Sequence, residues 1–199
     1  MPLLFDPVTR ESAEYDIVLE NQRRANGGAG GRFYAALRAG RAYQIPKNRV
    51  QFIPFQTGDR ILGIGLDDPR GGAVVAICSP AGAIMAHISP APVPAVNADL
   101  SMHNLRRRMV EVVTLARDYQ VCFPPCSFSL VVVPTIEGRM AIPQHAEYIR
   151  GMLIEAYLDP AITTYSMPVG REHPERGVVF VDGSSQQLSV YVEGRRIIG

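Results

Sequence analysis

From residue 50 onward the apolar positions fall into short runs separated by glycine, proline and polar turns. Residues 50–55 alternate and end at Thr57, Gly58 and Asp59, which predicts a strand and a turn. A second strand is expected over 60–66. Residues 73–79 (AVVAICS) are continuously apolar, Ser79-Pro80-Ala81-Gly82 is a turn, and 83–88 (AIMAHI) run back. Two strands joined so closely pair as an antiparallel hairpin, with Cys78 opposite Ala83 and His87 opposite Val74. After the proline-rich stretch SPAPVPAV, the pattern changes period. Met102, Leu105, Met109, Val112, Val113 and Ala116 recur at helical spacing, predicting a helix over 98–119. Arg106, Arg107 and Arg108 fall between them and read as a solvated helix surface. Residues 128–133 (FSLVVV) read as a buried strand. Pro143 opens a second helix, with Ile149, Leu153, Ala156 and Tyr157 on its core face. Strands over 162–167, 177–182 and 187–192 close the chain.

The resulting order is several strands, helix, strand, helix, strands. It predicts an α/β (α+β) layered domain, a sheet or sandwich flanked by two main helices. The first 45 residues differ in texture. A helix over 12–24, a flexible glycine joint over 26–31 (NGGAGG) and a short helix over 32–39 ended by Gly40 suggest an extension at 1–45, ahead of a domain at 46–199.

Composition narrows the function classes. At 199 residues and 47% apolar content the chain can bury a sizeable core. A net charge of +1 supplies no field to steer it to nucleic acid or to an acidic membrane. No apolar run reaches spanning length, and the N-terminus turns acidic too soon for a signal peptide. Three cysteines, an odd count, argue against a disulfide framework and for a reducing, cytoplasmic setting.

Cofactor signatures fail on inspection. The glycine run at 26–31 follows no strand and lacks the Walker lysine. Gly63, Gly65, Gly71 and Gly72 lead into a strand, whereas a dinucleotide turn must open a helix. No cofactor is expected. Cys122 and Cys126 frame CFPPC without a second pair at zinc spacing, so no metal is expected and both read as small apolar side chains at a turn. His103 on the first helix and His145 at the start of the second are candidate ligands or acid–base groups. Each stands alone in the sequence and reads as an exposed surface histidine, and His173 lies in a polar loop. His87 closes an apolar strand, where a buried ring needs a partner. It is either satisfied by a backbone carbonyl or a general base facing a nucleophile. Asp67 and Asp68 lie in a Gly/Pro loop, as a solvated turn or as bases or metal ligands near His87.

The stretch LGIG…GAVVAI…AGAIMAHISP resembles the core of the chemoreceptor glutamine deamidase (CheD-like) family. The helix, the strand, the second helix and the C-terminal paired strands follow in the family's order, so the resemblance covers roughly residues 50–195. It implies a cysteine thiolate that attacks a glutamine side-chain amide, with a histidine accepting the thiol proton and later activating water. His87 falls at that histidine. The nucleophile has no counterpart. Counted from LGIG its slot is near Asp67; counted back from the apolar strand it is Gly72. Between them LDDPRG carries no cysteine, serine or threonine. The threonine expected just before the LGIG motif is Ile61 here, and Thr57 lies four residues earlier. Cys78 lies roughly 13 Å along the strand from His87's partner at ~3.3 Å per residue, too far to substitute.

The resemblance therefore implies a pocket around Gly65, Gly72, Val74 and His87 without its usual nucleophile. Three functions are expected to compete: a degenerate member that binds a protein or small molecule without turnover; an active amidohydrolase whose nucleophile has moved to Cys122, Cys126 or the Asp67/Asp68 loop; and an interaction protein that docks through residues 1–45.

Overall fold

The computed structural model describes residues 31–55, 58, 61–67, 69–90, 98–124, 127–167, 176–185 and 187–198, with 98 and 99 as backbone only. The expected helix over 12–24 and all but the last residue of the glycine joint lie outside that set. In chain order the elements are α1 (Arg32–Arg38), β1 (Tyr43–Gln44), β2 (Val50–Pro54), β3 (Gly63–Leu66), β4 (Ala73–Ser79), β5 (Gly82–Ile88) and α2 (Ala98–Asp118). They continue as β6 (Phe128–Ile136), β7 (Arg139–Met140), α3 (Pro143–Glu155), β8 (Pro160–Met167), β9 (Val179–Asp182), β10 (Ser189–Val192) and β11 (Arg195–Ile198).

The strands form two sheets, and the fold is α+β. The first sheet has the order β1-β3-β9-β10-β11. The second has the order β2-β5-β4-β6, with β7 and β8 both paired to β6. One core lies between the sheets and includes Ile64, Leu66, Val74, Met85, Val132, Tyr165, Val181 and Val190. A second core lies on the other face of the second sheet. There Val75, Ile77, Ile84, Ala86 and Val131 meet Leu105, Met109 and Val112 of α2 and Ile149 and Leu153 of α3. Both faces of β4 and β5 are thus covered, which is why these strands read as near-continuous apolar runs.

The hairpin register is the expected one: Cys78 pairs with Ala83 and Val74 with His87. Beneath the outer face of the first sheet, α1 forms a smaller core of Phe33, Ala42, Val178 and Phe180. Its end is a Schellman motif. Gly40 takes φ 67°, its N–H bonds Leu37 O at 2.9 Å, and Arg41 N–H bonds Ala36 O at 2.8 Å. Residues 32–45, expected in an extension, are built into the domain from Arg32 on: Phe33 and Ile45 are fully buried, and β1 pairs in parallel with β3.

Two residues, Arg108 and Tyr157, lie differently from expectation. Arg106 and Arg107 are exposed, but Arg108 is buried. It falls on the inward stripe between Leu105 and Val112, and its Nη1 donates to both Glu111 oxygens at 2.8 and 2.7 Å. Tyr157 is not on the core face of α3. It is 92% exposed and lies past the helix end at φ 61°, in the left-handed position that closes a helix. No helix among the described residues is long and apolar enough to cross a membrane.

Candidate functional site

The chain leaves the first sheet at Leu66 and enters the second at Ala73, with Asp67 and residues 69–72 at the crossing between the layers. At the crossing Pro69 O accepts the N–H of Gly72 at 2.8 Å. Arg70 and Gly71 take φ of 46° and 79°, the pair of positive torsions that tightens such a turn. His87 lies against it. The ring shares the inter-sheet face of β5 with Ala83 and Met85, by alternation along the strand, and is 1% exposed.

Each ring nitrogen of His87 meets a backbone group. Asn48 N–H donates to Nδ1 at 2.8 Å, and Nε2 lies 2.9 Å from Pro69 O. A carbonyl can only accept, so Nε2 carries the hydrogen and Nδ1 the lone pair. That fixes the tautomer and commits the lone pair to the Asn48 amide. The expectation of a histidine satisfied by a backbone carbonyl holds, and the base has no lone pair turned to a nucleophile.

Gly72 stands against the ring. A Cβ built on it would be 2.7 Å from His87 Nε2, 2.6 Å from Ile88 O and 3.0 Å from Pro69 O. On its other side Tyr165 Oη donates to Gly72 O at 2.9 Å. Val74 is fully buried, and its pairing with His87 places it beside the ring. Gly65 is not part of this group. A Cβ there would lie 2.4 Å from the Phe33 ring, so this glycine faces outward and seats α1.

Asp67 is buried rather than solvated, being 8% exposed. Tyr34 Oη donates to its Oδ2 at 3.0 Å and Gln44 Nε2 to its Oδ1 at 2.6 Å. Both of its oxygens are thereby held by α1 and β1. Asp68, Thr57, Cys126 and His173 lie outside the described residues.

The described thiols are remote from the ring. Cys78 lies in the inter-sheet core four residues along β4 from Val74, or about 13 Å at strand spacing. Burial pushes its thiol up to about 12, which removes the thiolate at neutral pH. Cys122 sits at the opposite end of the hairpin, where its carbonyl accepts a hydrogen bond from Ser79 Oγ. His103 is exposed on α2 as expected, whereas His145, expected on the surface, is buried at the start of α3. Among the described residues no group of His, Cys, Asp or Glu is placed to hold a metal ion.

The structure therefore gathers His87, Gly72 and Val74, adds Asn48, Pro69 and Tyr165, and leaves Cys78 and Cys122 apart. Asn48 and Tyr165 carried no signal in the sequence: they stand 39 residues from His87 and 93 residues from Gly72. Asn104 of α2 braces the same corner by donating to Asn48 Oδ1 at 2.9 Å and Ser89 O at 3.0 Å. No protein-family model matches the chain, and no curated protein matches it.

Proposed function

We propose that the protein is a divergent CheD-like protein whose His87 pocket has lost cysteine-dependent amide hydrolysis and serves to bind a protein or small molecule without turnover. One observation carries this reading. Of the two nucleophile slots that the resemblance implies, Gly72 is the one against the histidine, and a Cβ built there would lie 2.7 Å from His87 Nε2. The slot faces the base and holds no side chain.

The groups around it agree. His87 spends both nitrogens on backbone partners. Asp67, the other slot, is engaged by Tyr34 and Gln44. Cys78 is too far away and too strongly protonated to take the nucleophile's place. What remains is a turn clasped by a neutral histidine.

Incubation with glutamine-containing proteins is the test, with released ammonia and the +1 Da mass change of deamidation as readouts. Neither is expected from the wild-type protein, before or after alkylation of all its cysteines. Ammonia release that disappears in His87→Ala would overturn the reading. If alkylation also abolished it, the relocated-thiol enzyme would replace the binding protein.

A further inference from the structure

We propose that Ser101 and His145 form a second, separate site, a hydroxyl nucleophile with its general base, that takes a small carboxylic ester as substrate. The pair lies on the helix face of the second sheet, whereas His87 lies on the inter-sheet face, so it stands or falls independently of the His87 pocket.

Topology brings the two residues together. Strands β5 and β6 both run antiparallel to β4 and are parallel to each other, and β8 is parallel to β6. Helix α2 connects β5 to β6, and α3 lies between β6 and β8. Both helices therefore start at the carboxyl ends of these strands, the edge where layered α/β folds hold their ligands. Ser101 is the fourth residue of α2 and His145 the third of α3. Ser101 Oγ stands 3.2 Å from His145 Nε2, within the reach of a nucleophile and its base.

His145 differs from His87 in how its nitrogens are used. Its side chain is nine-tenths buried, yet Nδ1 has no hydrogen-bond partner among the described residues. Most buried side-chain polar atoms are hydrogen-bonded, as both nitrogens of His87 are. Among the described residues the hydrogen bond His145 makes is to a hydroxyl on a partly exposed residue, which substrate can approach. With the proton on Nδ1, Nε2 offers its lone pair to the Ser101 hydroxyl. Burial lowers the ring's pKa from its ordinary value, so the neutral form prevails at pH 7. The first-turn N–H groups of α2 have no acceptor within the helix and favour negative charge developing beside Ser101.

The reaction balances within the pair and water. Ser101 Oγ bonds to the ester carbonyl carbon as its proton passes to Nε2. The carbonyl re-forms as the C–O bond to the alcohol breaks, and His145 returns the proton to the departing alkoxide. Water then attacks the acyl-serine, giving its proton to Nε2 as the acyl–Oγ bond breaks. The carboxylic acid leaves and Ser101 recovers its hydrogen.

The experiment is labelling of the full chain with an alkyl fluorophosphonate, which bonds phosphorus to an activated serine with loss of fluoride. Sites are mapped by peptide mass spectrometry. One equivalent is expected on Ser101 in the native protein and none there in urea. Ser101→Ala should abolish it, and His145→Gln should slow it by at least about 100-fold, the smaller end of general-base effects. A burst of one equivalent of p-nitrophenol from p-nitrophenyl acetate should follow the same variants. The proposal is overturned if native Ser101 reacts no faster than in urea, or equally fast in a folded His145→Gln. If that variant fails to fold, the comparison of native with unfolded wild type decides alone.

Discussion

Gly72→Ala is the substitution that most directly probes the His87 clasp. Gly72 does not use a positive φ, so only space is at issue. The new methyl would meet Ile88 O at 2.6 Å, His87 Nε2 at 2.7 Å and Pro69 O at 3.0 Å. Two of these are backbone oxygens held by the hairpin and the crossing turn, so the ring must give way first. Swinging it aside breaks the bond to Pro69 O and strands a buried N–H, worth about 1–3 kcal/mol. Residual overpacking against Ile88 O adds about 1 kcal/mol or more. The expected loss is therefore about 2–4 kcal/mol in urea unfolding, with an unchanged slope against denaturant. A double-mutant cycle separates the causes. In a His87→Ala background the ring is gone and only the carbonyl contacts remain, so the same methyl should cost about 1–2 kcal/mol less than in wild type. A single-mutant loss below about 0.5 kcal/mol would refute the geometry, since surface changes alone reach that size. Strict additivity in the cycle would refute the claim that Gly72 is a glycine because of His87.

Two further expectations follow from other parts of the molecule. Cys78 has a folded pKa of about 12, above that of an unfolded thiol, so its contribution is fully present below pH ~8.5. Between pH ~8.5 and 12 the unfolded chain binds one proton fewer, and stability should fall by about 1.4 kcal/mol per pH unit from this group. Cys78→Ala should remove that increment from the alkaline slope of urea midpoints, and an unchanged slope would count against the burial assigned to the thiol. At the end of α3, Tyr157 holds φ 61° while 92% exposed, and Leu158 N–H reaches back to Leu153 O at 2.9 Å. Tyr157→Gly should stabilise by about 0.5–1 kcal/mol, the left-handed strain relieved less the extra freedom of unfolded glycine. A lowered Tm would mean that the exposed ring does more than close the helix.

How much of this was legible depends on the range of the interactions involved. The hairpin was read with its register because its cause is local. Two continuous apolar runs flank a Ser-Pro-Ala-Gly turn, and the short turn fixes which residues face each other. Helix α2 was read because its apolar spacing runs through 21 residues. The division into two sheets was not legible. Residues 63–66 and 73–79 are neighbours in sequence, yet β3 pairs with β9 and β4 with β5 and β6, and alternation says which face is apolar without naming the partner. Strand β11 was missed because it opens on two arginines, as an edge strand bordering solvent can. Its turn, Glu193 and Gly194 at φ 49° and 75°, was the available signal.

The site shows the same limit from the chemical side. Periodicity singled out His87 as a polar ring in an apolar strand, and the family resemblance implied a slot at Gly72. Neither could show that the two touch, because the contact is made where the chain crosses between different sheets. Nor could they supply Asn48, whose amide determines the tautomer and so decides whether the ring is a base. Ser101 and His145 lie 44 residues apart and meet only because two crossover helices start at one edge of a sheet. A histidine's chemistry follows from where its second nitrogen points. In this fold that is decided by residues 39 and 18 positions from His87, and at His145 by an Nδ1 that has no partner among the described residues.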